Sequence, residues 1–453
     1  MLTRLSARKL LFPALVLGTL VRIVALPLRG AGDVDAFKLW SYHAAQGGVT
    51  HLYGVESPPQ DTILTFGTTS ADTDYPPLAL FELGLIGHLY SWATSGRFPD
   101  TTALTVLIKS VPVLFEVGFV VLAYRAVRHA FGEERACWAV IAFWLNPAMI
   151  TNASIGGYLD ALFVLPAAAS LVAAVTGYPA LSGGLIAAAV LTKPQAVFII
   201  PAVALAVWNA GDRPAARIGR ATAGAIVITI ATIAPFIADG TLPNMVFMLN
   251  TITTHHLFVS LYAYNLWWLL SNLMRMALAL LGGASLRTLV TTPASTLSFE
   301  SASAHGVRHL KAMGALLASV AMAWAVWTGR RARDLSLISA VGAFSVQAFA
   351  TVGPTVHENH WYAAVPLLVL AAAGRRRFTR PLMIVSAIAT LNLLLWGFGL
   401  DQNTPLTALR TSPVTVPLAA FNCGALIWVG SVLKKECVEK TKAATKTRKH
   451  EED

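Results

Sequence analysis

Long apolar runs, separated by short polar stretches that hold most of the basic residues, divide the chain from Leu10 to Leu433. Runs of about 18 or more apolar residues predict bilayer-spanning helices, and lysine and arginine between them mark the cytoplasmic face. Basic clusters fall at Arg4, Arg8 and Lys9, at Arg125, Arg128 and Arg135, and at Arg213, Arg217 and Arg220. Others fall at Arg330, Arg331 and Arg333, at Arg375, Arg376, Arg377 and Arg380, and in the tail from Lys434 to Lys449. With all of these on one side, the chain must cross an even number of times between consecutive clusters. Leu10–Leu28, Val106–Tyr124, Ala136–Thr151, Leu159–Val175, Thr222–Ile237, Met313–Trp327, Leu335–Ala350, Trp361–Ala373, Leu382–Gly399 and Pro413–Leu433 meet that condition, with the shorter Leu181–Leu191 and Ala196–Trp208. The pattern predicts an all-α, polytopic bundle of about 12 crossings, within a range of about 11–13, with both ends cytoplasmic.

Two further apolar stretches, Leu78–Trp92 and Leu261–Leu281, would put an arginine cluster on the wrong side if they crossed, so they are expected to be re-entrant or interfacial. Between the two short runs stands Thr192-Lys193-Pro194-Gln195. A break there requires protein cover or a cavity, because unpaired backbone is not tolerated against lipid. One domain over 1–433 is expected, with a first outer loop at 29–105, followed by a basic cytoplasmic tail at 434–453 that lacks an apolar face and is expected to be disordered. Met1 to Lys9 followed by an apolar run resembles a signal peptide, but Arg22 interrupts the run and no clean cleavage site follows, so the first span is expected to stay.

Composition agrees: 55% of residues are hydrophobic and 13% charged, and the mean hydropathy is +0.61. The net charge of +11 resides in the short clusters between spans, with no basic face interleaved with aromatics, so nucleic acid is not an expected partner. Cys137, Cys423 and Cys437 are too few and too scattered for a disulfide framework or a thiolate metal site. The first outer loop is acidic, with Asp33, Asp35, Glu56, Asp61, Asp72 and Asp74 against Arg29 and Lys38. Asp33 has the character of an N-cap and Asp35 of a first-turn residue of a helix running to Gly47-Gly48. Phe37, Trp40 and Ala44 would form one apolar stripe in the headgroup region, with Trp40 as anchor. On residue type alone the acids serve either as helix-end charges or as catalytic carboxylates.

Several segments resemble the GT-C superfamily of polyprenyl-phosphate-sugar-dependent glycosyltransferases. Gly32-Asp33-Val34-Asp35-Ala36 with Trp40 is similar to the first-loop acidic motif of the dolichyl-phosphate-glucose glucosyltransferases of the N-glycan pathway and of bacterial mannosyltransferase-like proteins. Asp74-Tyr75-Pro76-Pro77-Leu78 resembles their Tyr-Pro-Pro-Leu motif. Asn146-Pro147-Ala148 with Asn152, Gly156 and Asp160 resembles an Asn-Pro and Trp-Gly-Gln-x-Asp pattern, and Thr192-Lys193-Pro194-Gln195 a Lys-Pro-Gln motif. Tyr262-Ala263-Tyr264-Asn265-Leu266-Trp267 and His357-Glu358 match the later Asn-Leu-Trp and His-Glu motifs. The chain departs from the pattern at Gly157-Tyr158-Leu159 and lacks the cation that commonly follows His-Glu.

The resemblance implies a multi-pass enzyme of a bacterial inner membrane, acting on its periplasmic face. It implies transfer of a hexose, mannose or glucose, from a polyprenyl-phosphate donor to a glycan, lipid or protein acceptor. An acceptor hydroxyl needs a base, and Asp33 is the carried-over candidate, with Asp35 in a positioning or metal-binding role. The leaving phosphate needs positive charge and donors, for which Lys193, His357 and Arg22 are candidates. Arg22 and Glu116 lie at comparable depths in neighbouring spans, so an ion pair between them is the competing expectation for Arg22. Tyr75, Asp160, Gln195, Tyr262, Asn265, Trp267 and Glu358 are the substrate-contact candidates. No cysteine-histidine metal cluster or nucleotide loop is present in the sequence, and the acids leave a divalent cation open. A transporter or flippase for a lipid-linked saccharide is the alternative from another class, since it too would carry about 12 spans and a broken helix.

Overall fold

The computed structural model describes residues 6–60, 62–255, 258–260, 263–285, 288, 293–295, 309–396 and 409–452. The chain is an integral membrane protein built almost wholly of helices, and among the described residues the strands are confined to one small hairpin, Leu64–Phe66 paired with Thr69–Ala71 in the first outer loop. The helices in order are α1 (Ala7–Ala25), α2 (Gly32–Gly47), α3 (Pro77–Ala93), α4 (Thr102–Phe131) and α5 (Glu133–Trp144). There follow α6 (Pro147–Met149), α7 (Asp160–Val175), α8 (Pro179–Thr192), α9 (Ile200–Asn209), α10 (Pro214–Ala238), α11 (Leu242–His255) and α12 (Leu266–Leu281). The last are α13 (Leu310–Thr328), α14 (Leu335–Val352), α15 (Ala364–Gly374), α16 (Thr379–Trp396) and α17 (Thr415–Glu452).

Six described helices are long and apolar enough to cross a membrane, or seven if a bent pair counts as one span, against the expected total of about 12. The difference has two sources. Several apolar runs fold as short helices, among them Asp160–Val175, Pro179–Thr192 and Ala364–Gly374, which fall below the roughly 20 residues a straight span requires. The first helix, by contrast, is long enough but carries Arg8, Lys9 and Arg22. Burial separates inner from outer elements: 89% of the apolar window of α14 is buried against 11% of that of α10. The first is the bundle centre, and the second presents its apolar side chains outward, as lipid-facing helices do.

The first outer loop folds back as two helices. Pro76-Pro77 sets the start of α3, where a missing N–H costs nothing. A side chain at Gly87 would stand 2.0 Å from the Ser41 carbonyl oxygen, so glycine is what lets α3 lie directly on α2. That contact turns the Phe37, Trp40 and Ala44 stripe inward. All three are buried, so Trp40 is a core residue rather than the expected headgroup anchor. Nor is Asp33 the N-cap: Ala31 holds that position, and Asp33 and Asp35 both lie in the first turn.

Irregular backbone gathers on the bundle beside this loop. Asn146 caps α6 by accepting from the Ala148 N–H at 3.0 Å, and its amide donates to Ser386 Oγ at 2.8 Å. The chain bends there by 44° and winds as a π-helix over Ile150–Gly156. The expected break at Thr192-Lys193-Pro194-Gln195 is present too: α8 ends at Thr192, Lys193 is extended, and a 3-10 segment, Pro194–Ile199, leads into α9. Such interruptions inside a membrane bundle belong where protein covers them, and π-bulges concentrate at functional sites.

Candidate active site

Asp33 and Asp35 share the favourable N-terminal end of α2, yet they face different surroundings. Asp35 is neutralised twice, by Arg29 at 3.2 Å and by Lys38 at 3.6 Å, and Lys38 also holds Asp100 at 2.9 Å. Lys38 thereby ties the start of α2 to the loop before α4. No ion pair of that kind holds Asp33 among the described residues. Asp33 as a residue keeps some accessible surface, and its carboxyl feels the charges of Glu358, Lys193 and Asp160. Loss of solvation, followed by repulsion from Glu358, pushes its pKa from 3.8 up to about 7, against a smaller opposing pull from Lys193. Asp74, with more open surface, is raised to about 6 by the same loss of solvation and then by Asp33 itself.

Lys193, delivered by the helix break, meets Asp160 at the start of α7 across 2.5 Å. The second oxygen of Asp160 accepts from the Asn152 amide at 2.8 Å, so the π-helix and the helix break are joined through one carboxylate. Lys193 Nζ also lies 5.7 Å from the ring centre of Tyr75, within reach of a cation–π contact. Tyr75 packs against Phe37 and Trp40 at centroid distances of 5.5 and 5.4 Å, giving the site an aromatic wall.

The segment between α14 and α15 closes the group. Glu358 is buried, and its Oε1 accepts from the Tyr158 hydroxyl; burial raises its pKa, opposed mainly by that bond. His357 is pushed down to about 4 by burial and by Lys193, so the ring is neutral and donates or accepts as a dipole rather than as a cation. Its backbone N–H donates to His360 Nδ1 at 3.2 Å, and His360 Nε2 lies 2.8 Å from the Gln195 amide. With Nδ1 accepting, a neutral His360 carries its proton on Nε2, so the Gln195 amide oxygen is the atom that belongs at this contact.

Asp33, Asp160, Lys193, Gln195, His357, Glu358 and Tyr75 are therefore brought together from separate stretches of the sequence. Other sequence candidates lie elsewhere. Arg22 is enclosed by Glu116 at 2.9 Å, by the carbonyls of Trp144 at 2.7 Å and Gly18 at 3.2 Å, and by the Trp144 ring, 3.8 Å beneath its guanidinium. The ion-pair expectation for Arg22 is the one this geometry fits. Asn265 caps α12 by accepting from the N–H groups of Trp267 and Trp268 at 3.0 and 3.1 Å, while the Trp267 indole donates to the Val352 carbonyl at 2.8 Å. Tyr262 lies outside the described residues. Tyr158 and Asn152 are not among the sequence candidates for the site, although Asn152 belongs to the Asn-Pro motif segment. Tyr158 stands where the chain departs from the family pattern, and that departure was the one available signal. Among the described residues no three His, Cys, Asp or Glu side chains are grouped as ligands for a metal ion.

ArnT from Cupriavidus metallidurans, in a crystal structure bound to undecaprenyl phosphate, superposes with a TM-score of 0.50 at 13% identity, over 95% of this chain and 78% of that one. The chain shares the fold of ArnT, as the motif resemblance to the GT-C superfamily implies. An Archaeoglobus fulgidus oligosaccharyltransferase, in complex with Zn and sulfate, also matches, at 12% identity and a TM-score of 0.35, over 90% of this chain and 53% of that one. At that score it adds nothing to the fold assignment. No protein-family model matches the chain, and no curated protein matches its sequence. The likeness to ArnT is thus one of shape, and within that shape Asp33 stands beside the buried Asp160, Lys193 and Glu358.

Proposed function

We propose that the protein is a glycosyltransferase that moves a hexose, mannose or glucose, from a polyprenyl-phosphate carrier to a hydroxyl of a glycan, lipid or protein acceptor. The reaction is placed at the periplasmic face of a bacterial inner membrane, where the positive-inside pattern puts the first acidic loop. The observation that carries the reading is the convergence of Asp160, Lys193 and Glu358 on the Asp33 carboxyl at the first turn of α2, which makes no ion pair among the described residues. The bound undecaprenyl phosphate of ArnT, on the same fold, supports a lipid-phosphate carrier.

In this reaction the acceptor hydroxyl attacks the anomeric carbon from the face opposite the carrier. The new C–O bond forms as the bond to the phosphate oxygen breaks, and configuration inverts. Asp33 takes the hydroxyl proton; a pKa of about 7 leaves it ionised in useful amount and basic enough to accept. Polyprenyl phosphate leaves as a stable anion that needs no proton. Lys193 has three N–H donors and gives one to Asp160, so the others remain for the departing oxygen. Neutral His357 supplies a further dipole, and Tyr75 an aromatic surface for the sugar.

The test is transfer by the purified protein in lipid, with labelled polyprenyl-phosphate mannose and glucose and a membrane extract as acceptor. Asp33→Asn is expected to lower transfer by roughly 10²–10⁴-fold with the fold intact. Full turnover by this variant would end the base assignment. Movement of intact lipid-linked sugar across the bilayer, without transfer, would instead establish the flippase.

A further inference from the structure

Lys109 is fully buried within α4, and among the described residues no carboxylate lies at ion-pair distance from it. A buried ammonium without a counter-ion is costly, so its partners must compensate. They are two backbone carbonyls: Nζ donates to Ala25 at 3.0 Å and to Leu28 at 2.8 Å. Ala25 is the last residue of α1, where unsatisfied carbonyls and the helix dipole favour a cation. The lysine therefore closes the C-terminal end of α1 from a neighbouring helix.

That end leads straight to Asp33. Two glycines with left-handed backbone, Gly30 and Gly157, leave room around Val34: a side chain on either would stand 2.8 or 2.6 Å from Val34 Cγ2. The same position on Gly157 would stand 2.8 Å from Lys109 Cγ, so the lysine stem and Val34 flank one glycine. The Ala31 N–H donates to the Gly156 carbonyl at 2.8 Å, which fixes the chain just ahead of α2. Tyr158, following Gly157, holds Glu358.

We propose that Lys109 is a positioning residue: by clamping the end of α1 and packing against Gly157 it fixes where Asp33 stands relative to Glu358, Asp160 and Lys193. It touches no reacting atom. The clamp is independent of the reaction, whereas its effect on turnover rests on the reading of Asp33 as the base.

The experiment uses the full chain in lipid nanodiscs and measures amide hydrogen exchange together with steady-state transfer. Lys109→Met is expected to speed exchange by about fivefold or more in peptides covering 26–37, with peptides in 335–352 unchanged. Gly157→Ala, which presses on the same joint from the other side, is expected to do the same. With both, kcat falls by about tenfold or more while the donor KM stays within about twofold, because a misplaced base slows chemistry more than binding. Unchanged exchange at 26–37 in folded Lys109→Met would overturn the proposal, as would equal loosening of 335–352. If exchange behaves as expected but the wild type transfers no sugar, the glycosyltransferase reading fails and the clamp stands. If Asp33→Asn abolishes transfer while exchange at 26–37 is unaffected by Lys109→Met, the reverse holds.

Discussion

Arg22 and Asp33 stand on either side of the turn joining α1 to α2, yet the charges around them are arranged on opposite principles. Around Arg22 the charge account closes: one guanidinium meets one carboxylate, Glu116, whose second oxygen accepts from the Tyr362 hydroxyl at 3.0 Å, although Arg22 Nη2 is buried without a hydrogen-bond partner among the described residues. Around Asp33 it does not close. Three further acids, Asp74, Asp160 and Glu358, surround it with Lys193 as the cation, and among the described residues Glu358 Oε2 and Asn152 Oδ1 are buried without hydrogen-bond partners. A closed network gives a bundle a fixed arrangement of its helices, whereas an open one has to be held in place by its surroundings. Being buried and charged is therefore a weaker sign of function in this molecule than an unbalanced cluster of charges, and the proposed function rests on the second.

The largest expected effects break the two networks in opposite ways. Asp33→Asn removes turnover but relieves the protein. The pKa of Asp33 rises from 3.8 to about 7 on folding, so the unfolded chain holds fewer protons between those values. Stability from this group is full below 3.8 and is lost as pH climbs through about 7. Thermal unfolding of Asp33→Asn should thus match wild type in acid and exceed it above neutrality; a lower midpoint at alkaline pH would contradict the open-network description. Arg22→Met does the reverse, stranding Glu116 and costing about 3–5 kcal/mol of stability. The double variant Arg22→Met, Glu116→Leu should regain most of that loss and should keep transfer per folded molecule. If the double variant unfolds as easily as the single one, the pair is not a self-contained unit.

A smaller effect sharpens the same contrast. Lys193 holds the Asp33 pKa down, although less strongly than burial pushes it up. Transfer should rise with pH through about 7 in the wild type, and Lys193→Met should move that limb upward by roughly one pH unit as well as slowing the reaction. A slower enzyme with an unmoved limb would place Lys193 out of electrical contact with the base.

Much of this was legible in the sequence. Apolar run length and arginine spacing indicated a helical membrane bundle, and the acidic first loop with its Tyr75-Pro76-Pro77 turn indicated where polar chemistry would gather. The break at Lys193-Pro194 was legible because proline removes a donor and a lysine inside an apolar run must find polar partners. What periodicity could not disclose was the partner: Asp160 and Glu358 come from distant elements, and their meeting depends on how α2, α7 and the segment before α15 fold together. For the same reason Trp40 read as a surface anchor. Its spacing suits a headgroup stripe, and only the close approach of α3 through Gly87 buries it. Lys109 carried the same signal as Lys193, an ammonium in an apolar run, but its partners are carbonyls, which leave no mark in the side-chain pattern.

The smallest effect concerns Asn265, for which motif resemblance implies substrate contact and geometry gives a helix cap. Its side-chain oxygen accepts from two N–H groups at the start of α12, and its amide donates to the Gly353 carbonyl at 3.2 Å. Replacing such a cap by alanine costs about 1 kcal/mol, since the freed N–H groups are left without an acceptor. Asn265→Ala should therefore lower the unfolding midpoint slightly, and Asn265→Asp, which keeps the accepting oxygen, should restore part of the loss. Donor KM should stay unchanged in both. A rise in KM without a change in stability would move Asn265 from the closed, structural side of the molecule to the open one, and α12 would then belong to the substrate site.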